Sequence, residues 1–518
     1  MKIRRTWVYP ILVTMMILAG NGSPAEAQAP TPFANCRLGA GGAYTPYVGD
    51  FDITRLNLGI YLDWWNNSDP QSNLGLPAEV EYIQSVRVHQ NKVGDWDSDY
   101  VDPPTYRVSP SLTTIADMAA RQPGSLWLIG NEVERRDWPG GGQDEITAEL
   151  YATAFHEIQE AIRTADPTAR IGIGSVIEAT PLRLAYLDRV WDSYDTQYGY
   201  SMGHDIDVWN IHGFLLREVR HSWGAEIPAG FDNSDADPSN DYNPADGFLY
   251  GANIASVVAE HRNIIRFQEF TVVLREWMAT HGEQNKPLIN TEYGILYTSL
   301  GGYNITPQQV NDYLAASFDY MFTATDEEIG YPLDENRLVQ GWVWYSMNDD
   351  DWNGYLFNPD TSALTQFGVA WSNYVSDPSN PLASQPQVNL LVSNLRAHPN
   401  PVHVPPGGSA TVTLRVDVAN SGNTKTITNN NIVVEFWDGI PNEPSSNLIA
   451  RKTADDIPGC GRFTTVEAEW PNRFPGEHIW FVQVVPIAGE TKMADNIAGD
   501  AFSSVEVAAT IYLPIVLK

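Results

Sequence analysis

A chain of 518 residues with a net charge of −33 holds 43% hydrophobic and 18% charged residues, with 17 Trp and 24 Tyr. That length exceeds one ordinary core and predicts two or three domains. The acidic balance excludes nucleic acid and anionic membranes as partners, because both need clustered Lys and Arg; a neutral ligand such as a sugar polymer stays open.

At the start, Lys2, Arg4 and Arg5 precede an apolar run from Trp7 to Ala19, and Ala25-Glu26-Ala27-Gln28-Ala29 offers small-residue cleavage sites. Residues 1–29 therefore read as a signal peptide. The apolar run is too short and wrongly flanked for a spanning helix, and no other stretch reaches membrane length. The mature protein is expected to be secreted and extracellular. Its two cysteines, Cys36 and Cys460, lie near opposite ends; in an oxidising compartment a bridge and two unpaired thiols are both open.

Between residues 30 and 375 short apolar strands alternate with amphipathic helices. Strands are predicted at 56–62, 83–89, 126–131, 170–177, 207–214, 287–293 and 339–345, and helices at 112–121, 145–164, 181–194, 254–280 and 306–324. Thr306-Pro307 opens one helix and Asp166-Pro167 closes another. Continuous apolar strands point to a parallel sheet covered on both faces, and this repetition at this length predicts an α/β fold, a (β/α)8 barrel. Seven strands are clear; the eighth is expected between His89 and Leu112.

A polar, Pro-rich linker follows at 376–386. From 387 to 508 the period becomes two: Val412, Leu414, Val416 and Val418 alternate with Thr411, Thr413, Arg415 and Asp417, and Ile432, Val434 and Phe436 repeat the pattern. Gly-, Asn- and Pro-rich turns separate these runs, predicting a small antiparallel β-sandwich. It resembles the immunoglobulin-like, CARDB-type adhesion modules of secreted bacterial proteins, a resemblance that makes it a candidate for glycan or cell-surface contact. The apolar tail at 509–518 is far too short to span a bilayer.

Two predicted strands end alike. SLWLIGNEVERR (125–136) is apolar until Gly130 and then delivers Asn131 and Glu132; KPLINTEYG (286–294) delivers Glu292. In a (β/α)8 barrel all strand C-termini converge on one mouth, and two carboxylates about 5–5.5 Å apart are the arrangement of retaining glycosidases. WLIGNE followed downstream by PLINTEYG resembles the clan A retaining glycoside hydrolases, the 4/7 superfamily. Carried over residue by residue, the resemblance implies that Glu132 is the acid/base and Glu292 the nucleophile, with Asn131 binding the sugar 2-hydroxyl. DIDVWNIHGF resembles the family's strand six and implies that His212 orients the nucleophile. SVRVHQ resembles strand two and implies that Arg87 holds the nucleophile ionised. GWVWYSMND resembles strand eight and implies that Trp344 is the floor of the catalytic subsite, since Trp344 and Tyr345 alternate and only one faces inward.

Trp64 and Trp65, after the first strand, are candidate stacking surfaces for a sugar. Trp96, Trp138 and Trp352 extend the groove, and the acidic insertion at 215–251 forms one wall. Asp349–Asp360 partly fits a calcium loop, but Asp replaces the terminal Glu and Phe357 occupies a ligand position. No metal or cofactor is therefore called for. The reading is a secreted retaining β-glycoside hydrolase acting on a polysaccharide or oligosaccharide. The alternative is a noncatalytic glycan-binding or cell-surface adhesion protein built on a hydrolase-like barrel.

Overall fold

The computed structural model describes residues 32–42, 45–138, 141–219, 223–231, 254–297, 303–490 and 492–507. The predicted signal peptide, the apolar tail and most of the acidic insertion lie outside them. The N-terminal part, up to Ser376, is mixed α/β. In chain order it comprises β1 (Asn35–Gly41), β2 (Leu58–Leu62), α1 (Pro70–Leu74), β3 (Glu81–Tyr82), β4 (Gln84–Gln90), β5 (Tyr106–Ser109), α2 (Leu112–Arg121), β6 (Leu126–Ile129), α3 (Ala148–Ala165), β7 (Arg170–Ile173), α4 (Pro181–Tyr198) and β8 (Trp209–His212). It continues through α5 (Ile254–Glu260), α6 (Ile264–Thr280), β9 (Leu288–Gly294), α7 (Pro307–Thr323), β10 (Gly341–Tyr345) and α8 (Gln366–Ser376).

Two sheets carry these strands, in the orders β3-β2-β1-β10-β9-β8 and β5-β4-β6-β7. Every pairing in them is parallel except β4–β5. Isolated parallel bridges Gly172↔Val208 and Val176↔Ile211 link β7 to β8. Between β3 and β4, the Ile83 amide donates to the Tyr61 carbonyl (3.0 Å). Ile60, Leu62, Ile83, Leu126, Leu128, Val208, Ile289 and Val343, drawn from both sheets, pack into one inner cluster. The alternate strand residues, among them Val86, Trp127, Ile129, Trp342 and Trp344, join helical residues such as Ile115, Phe155, Phe318 and Trp371 in an outer core. Apolar residues on both faces are thus explained: each strand is dry on both sides.

The eighth parallel strand is not where the sequence placed it. The 90–111 segment contributes β5, a hairpin partner paired antiparallel to β4. The additional parallel strand is β1, inserted between β2 and β10. Its sequence, NCRLGAG, conceals it. A Cβ on Gly39 would lie 2.7 Å from the Trp342 carbonyl, and one on Gly41 would lie 2.4 Å from the Trp64 ring, so close packing demands glycine. Arg37, in the same strand, is buried because its guanidinium grips both oxygens of Asp334 at 2.6 and 2.7 Å. The predicted helix at 254–280 is broken between α5 and α6, where the Asn263 side chain caps the new N-terminus by accepting from the Ile265 amide.

The stretch 376–386 includes a short helix, α9 (Pro381–Ser384), with Ala383 and Ser384 buried. Beyond it come β11 (Leu390–His398), β12 (Val402–Val404), β13 (Ala410–Asn420), β14 (Ile432–Asp438), β15 (Asn447–Ala454), β16 (Arg462–Arg473), β17 (Gly476–Val484) and β18 (Ile497–Glu506). They form sheets β11-β13-β16 and β12-β18-β17-β14-β15, antiparallel except for β12–β18. Val412, Leu414, Val416, Val418, Ile432, Val434 and Phe436 fill the core between them. This all-β part is fastened to the α/β part by a Cys36–Cys460 disulfide and by Arg37 donating to the Ser421 carbonyl (3.0 Å).

Candidate active site

β6 is fully buried and ends in a sharp turn. Gly130 has φ 99°, and a Cβ there would meet the Val133 side chain at 2.3 Å, so the sequence needs glycine at this point. Glu132 then takes φ 48°, a left-handed conformation uncommon outside glycine. The turn is pinned by Asp144, whose Oδ2 accepts from the Asn131 amide (3.0 Å) and from the Val88 amide of β4 (2.9 Å).

The Glu132 carboxylate is buried and bound at both oxygens. Arg135 Nη1 donates to Oε2 (2.7 Å) and His212 Nδ1 donates to Oε1 (3.1 Å). His212 ends β8, where its register partner on β9 is Glu292. The same Nδ1 lies 3.6 Å from Glu292 Oε2. Carboxylate oxygens of Glu132 and Glu292 and the His212 nitrogen all fall within 4.8 Å of one another. The two glutamates predicted from separate strand ends therefore meet. This trio is the grouping of potential metal ligands found among the described residues, but the Arg135 guanidinium already occupies Glu132 and opposes a cation there.

Burial pushes the Glu132 carboxyl up, but Arg135 and His212 outweigh burial and hold it well below the usual carboxylate range. Glu292 is raised to about 7 by burial and then by the nearby Glu132 charge, with His212 and Arg135 acting in the opposite direction. Burial lowers His212, yet Glu292 and Glu132 raise it above its ordinary value. The proton is thus favoured on the Glu292–His212 side and Glu132 is favoured as the anion. That order is the reverse of the one implied by the resemblance. His212 also stands closer to Glu132 than to the residue it was expected to orient.

Two further expectations are corrected. Arg87 does not hold Glu292; its Nε donates to Asp144 Oδ1 (2.8 Å) and its Nη2 to the Gly142 carbonyl (2.6 Å). Trp344 is no floor for a ligand. It is wholly buried, donates to the Gly354 carbonyl (2.9 Å) and packs on Tyr293 and Tyr313 in the outer core. Because Val343 faces the inner cluster, the inward residue at the strand end is Tyr345, which packs against Trp64 at 5.4 Å. Asn131 sits beside Glu132, but its Nδ2 donates to the Gly142 carbonyl (2.7 Å).

Trp64 lines the site. Its indole N–H lacks a hydrogen-bond partner within range but favours the ionised form of Glu292. Trp65 is 59% exposed and stands next to it in the chain. Trp96 packs against Trp138 at 4.8 Å in a tilted arrangement with the Arg136 guanidinium over both rings, and Trp352 stacks on Trp223 at 6.1 Å. A polar pocket of about 320 Å³ adjoins the first pair, lined by Lys92, Tyr100, Arg136, Glu145 and Glu226, and its lining excludes Glu132 and Glu292.

Two contributors escaped the sequence reading. Arg135 carried a weak signal, since it lies three residues after Glu132 in a turn. Asp144 carried none, because its role depends on β4 and β6 lying side by side. Deeper still, Arg183 is buried among carboxylates and pairs with Glu134 (3.4 Å) and Glu218.

No family model matches this sequence, and no curated protein does. Solved structures do. The chain is similar to a GH128 (subgroup II) endo-beta-1,3-glucanase from Sorangium cellulosum, with 16% identity over 65% of this chain and 98% of that one and a TM-score of 0.36. A Paenibacillus polymyxa xyloglucanase of glycoside hydrolase family 44 matches at 11% identity over 85% and 95%, with a TM-score of 0.34. A CARDB domain from Pyrococcus furiosus matches at 15% identity over 23% and 89%, with a TM-score of 0.17. Likeness at these levels fixes neither a family nor an activity.

Proposed function

We propose that this chain is a secreted, retaining β-glycoside hydrolase whose parallel strands close a (β/α)8 barrel carrying an immunoglobulin-like β-sandwich. One observation carries the reading: a buried Glu132 just after β6 and a largely buried Glu292 near the end of β9 have carboxylate oxygens within 4.8 Å, with a histidine between them. That spacing suits direct attack on an anomeric carbon and leaves no room for an intervening water. In the first step Glu132 gives its proton to the glycosidic oxygen while Glu292 attacks, forming a glycosyl-enzyme. In the second step Glu132 takes a proton from water, which releases Glu292 and the sugar. A substrate stacked on Trp64 and Trp65 would exclude water from the pair and strengthen each electrostatic contact.

The charge order of the pair favours a second reading in which the two carboxyls exchange roles. Both are tested together. Glu132→Ala and Glu292→Ala should each abolish hydrolysis on a responsive member of a panel of plant and microbial glycans, with folding retained. Wild-type turnover in either variant refutes the assignment. A fluorinated glycosyl inhibitor should label Glu292 under the first reading and Glu132 under the second. No adduct with any sugar, together with glycan binding, would favour a noncatalytic binding protein.

A further inference from the structure

We infer that Arg135 is a positioning residue that decides which of the two carboxyls carries the proton, holding Glu132 as the anion until a ligand displaces the contact. The inference rests on the proposed glycosidase reading but is independent of which glutamate attacks. Its basis is geometric. The Arg135 guanidinium is fixed at two points: Nη1 donates to Glu132 Oε2 (2.7 Å) and Nε donates to the Gly224 carbonyl (2.8 Å). Arg135 is 5% exposed and Glu132 is 3% exposed, so water screens the pair little. His212 Nδ1 hydrogen-bonds Glu132 at 3.1 Å and lies 3.6 Å from Glu292. It leans towards Glu132 but stands near both carboxyls, whereas the Arg135 guanidinium bonds Glu132 alone.

The remaining charged neighbours do not supply this asymmetry. Arg87 on β4 acts on Glu132 only through space and is committed to Asp144. Glu134, in the same turn, is a carboxyl raised chiefly by burial and to a smaller extent by Glu132. Tyr297, after β9, feels Arg135 but is itself raised above its ordinary range by burial. Gly224 belongs to the segment between β8 and α5, so that segment anchors the cation on Glu132. For Glu132 to act as an acid, the guanidinium must leave and the proton must cross from Glu292. A single nitrogen suffices: His212 Nδ1–H passes its proton to Glu132 as the O–H bond forms there, and Glu292 then reprotonates Nδ1. Charge and protons balance.

The test is Arg135→Gln, which keeps a donor but removes the charge, beside Arg135→Lys, which keeps the charge. The pH profile of kcat/KM should move to higher pH on both limbs in the Gln variant, by about one unit or more. The Lys variant should stay near wild type. A Gln profile superimposed on wild type, whether at full or uniformly reduced activity, overturns the inference. Carbon-13 carboxyl NMR on the wild-type protein gives a readout that needs no arginine variant to fold. The signal missing in Glu132→Gln should stay ionised down to the acid limit of the folded protein. A Glu132 signal that titrates in the ordinary carboxylate range also overturns it. Loss of activity in both glutamate variants alongside an unmoved Arg135→Gln profile would sink this inference alone.

Discussion

Arg87→Met separates the two roles that Arg87 could play. The guanidinium is 14% exposed and its partner Asp144 is fully buried. Removing one partner of a buried ion pair typically costs about 3–5 kcal/mol, because a charge is left uncompensated. Asp144 would still accept from the Val88 and Asn131 amides and face His89 Nε2 at 3.2 Å, so the lower end of that range, about 3 kcal/mol, is expected. Urea denaturation measures it directly, since the midpoint falls while the slope is preserved. Activity should fall less than in the glutamate variants, through loosening of the turn that carries Glu132. If stability stays within about 0.5 kcal/mol of wild type, the ordinary range for a surface change, while kcat/KM collapses, Arg87 acts on the chemistry and the ion-pair account is wrong.

Glu292→Gln should be stabilising at alkaline pH. The folded carboxyl is raised from 4.5 to about 7, so ionising it costs the fold stability that is intact below pH 4.5 and is lost as pH rises towards 7. Up to about 3 kcal/mol should separate variant from wild type at pH 8, and the gap should close at pH 4; equal gaps at both pH values would contradict the raised carboxyl. His212→Ala removes the donor that bonds Glu132 and lies 3.6 Å from Glu292. Hydrogen bonds to charged groups are worth about 1.5–3 kcal/mol, so kcat/KM should drop by roughly ten- to a hundredfold, and an unchanged value on the responsive glycan would remove His212 from the site. Cys36→Ser with Cys460→Ser opens a loop of 424 residues and should lower stability by about 2–5 kcal/mol in urea melts. Gly39→Ala forces a methyl to 2.7 Å from the Trp342 carbonyl and should cost about 1–3 kcal/mol, with the disulfide intact by thiol titration.

Much of the site was legible because of how carboxyl-bearing strands must be written. A run such as Leu126–Ile129, apolar on both faces and stopped by Gly130, announces a buried mount. A polar pair placed at its end is then conspicuous. The same logic exposed Glu292, and the resemblance of DIDVWNIHGF to the family's strand six supplied His212. Side-chain parity was not legible: Trp344 and Tyr345 are equally plausible inward residues until Val343 is seen in the inner cluster. Nor was the partner of Arg87, since Asp144 lies 57 residues away in a stretch with no pattern of its own. β1 was hidden for a related reason. Its glycines and Arg37 break the apolar pattern, and only neighbours brought by distant segments make them fit.

The sequence by itself determined the strand-and-helix alternation, the change to a period of two after residue 387, and the glutamates that end β6 and β9. Those features are local: each follows from side-chain periodicity or from the residue that stops a run. The tertiary structure decided what depends on proximity across the chain. It joined Cys36 to Cys460, gave Arg87 to Asp144, and brought Arg135 and His212 to opposite oxygens of Glu132. Which carboxyl holds the proton is likewise a tertiary property, because burial and the nearest cation set it, and neither is written beside the residue it controls.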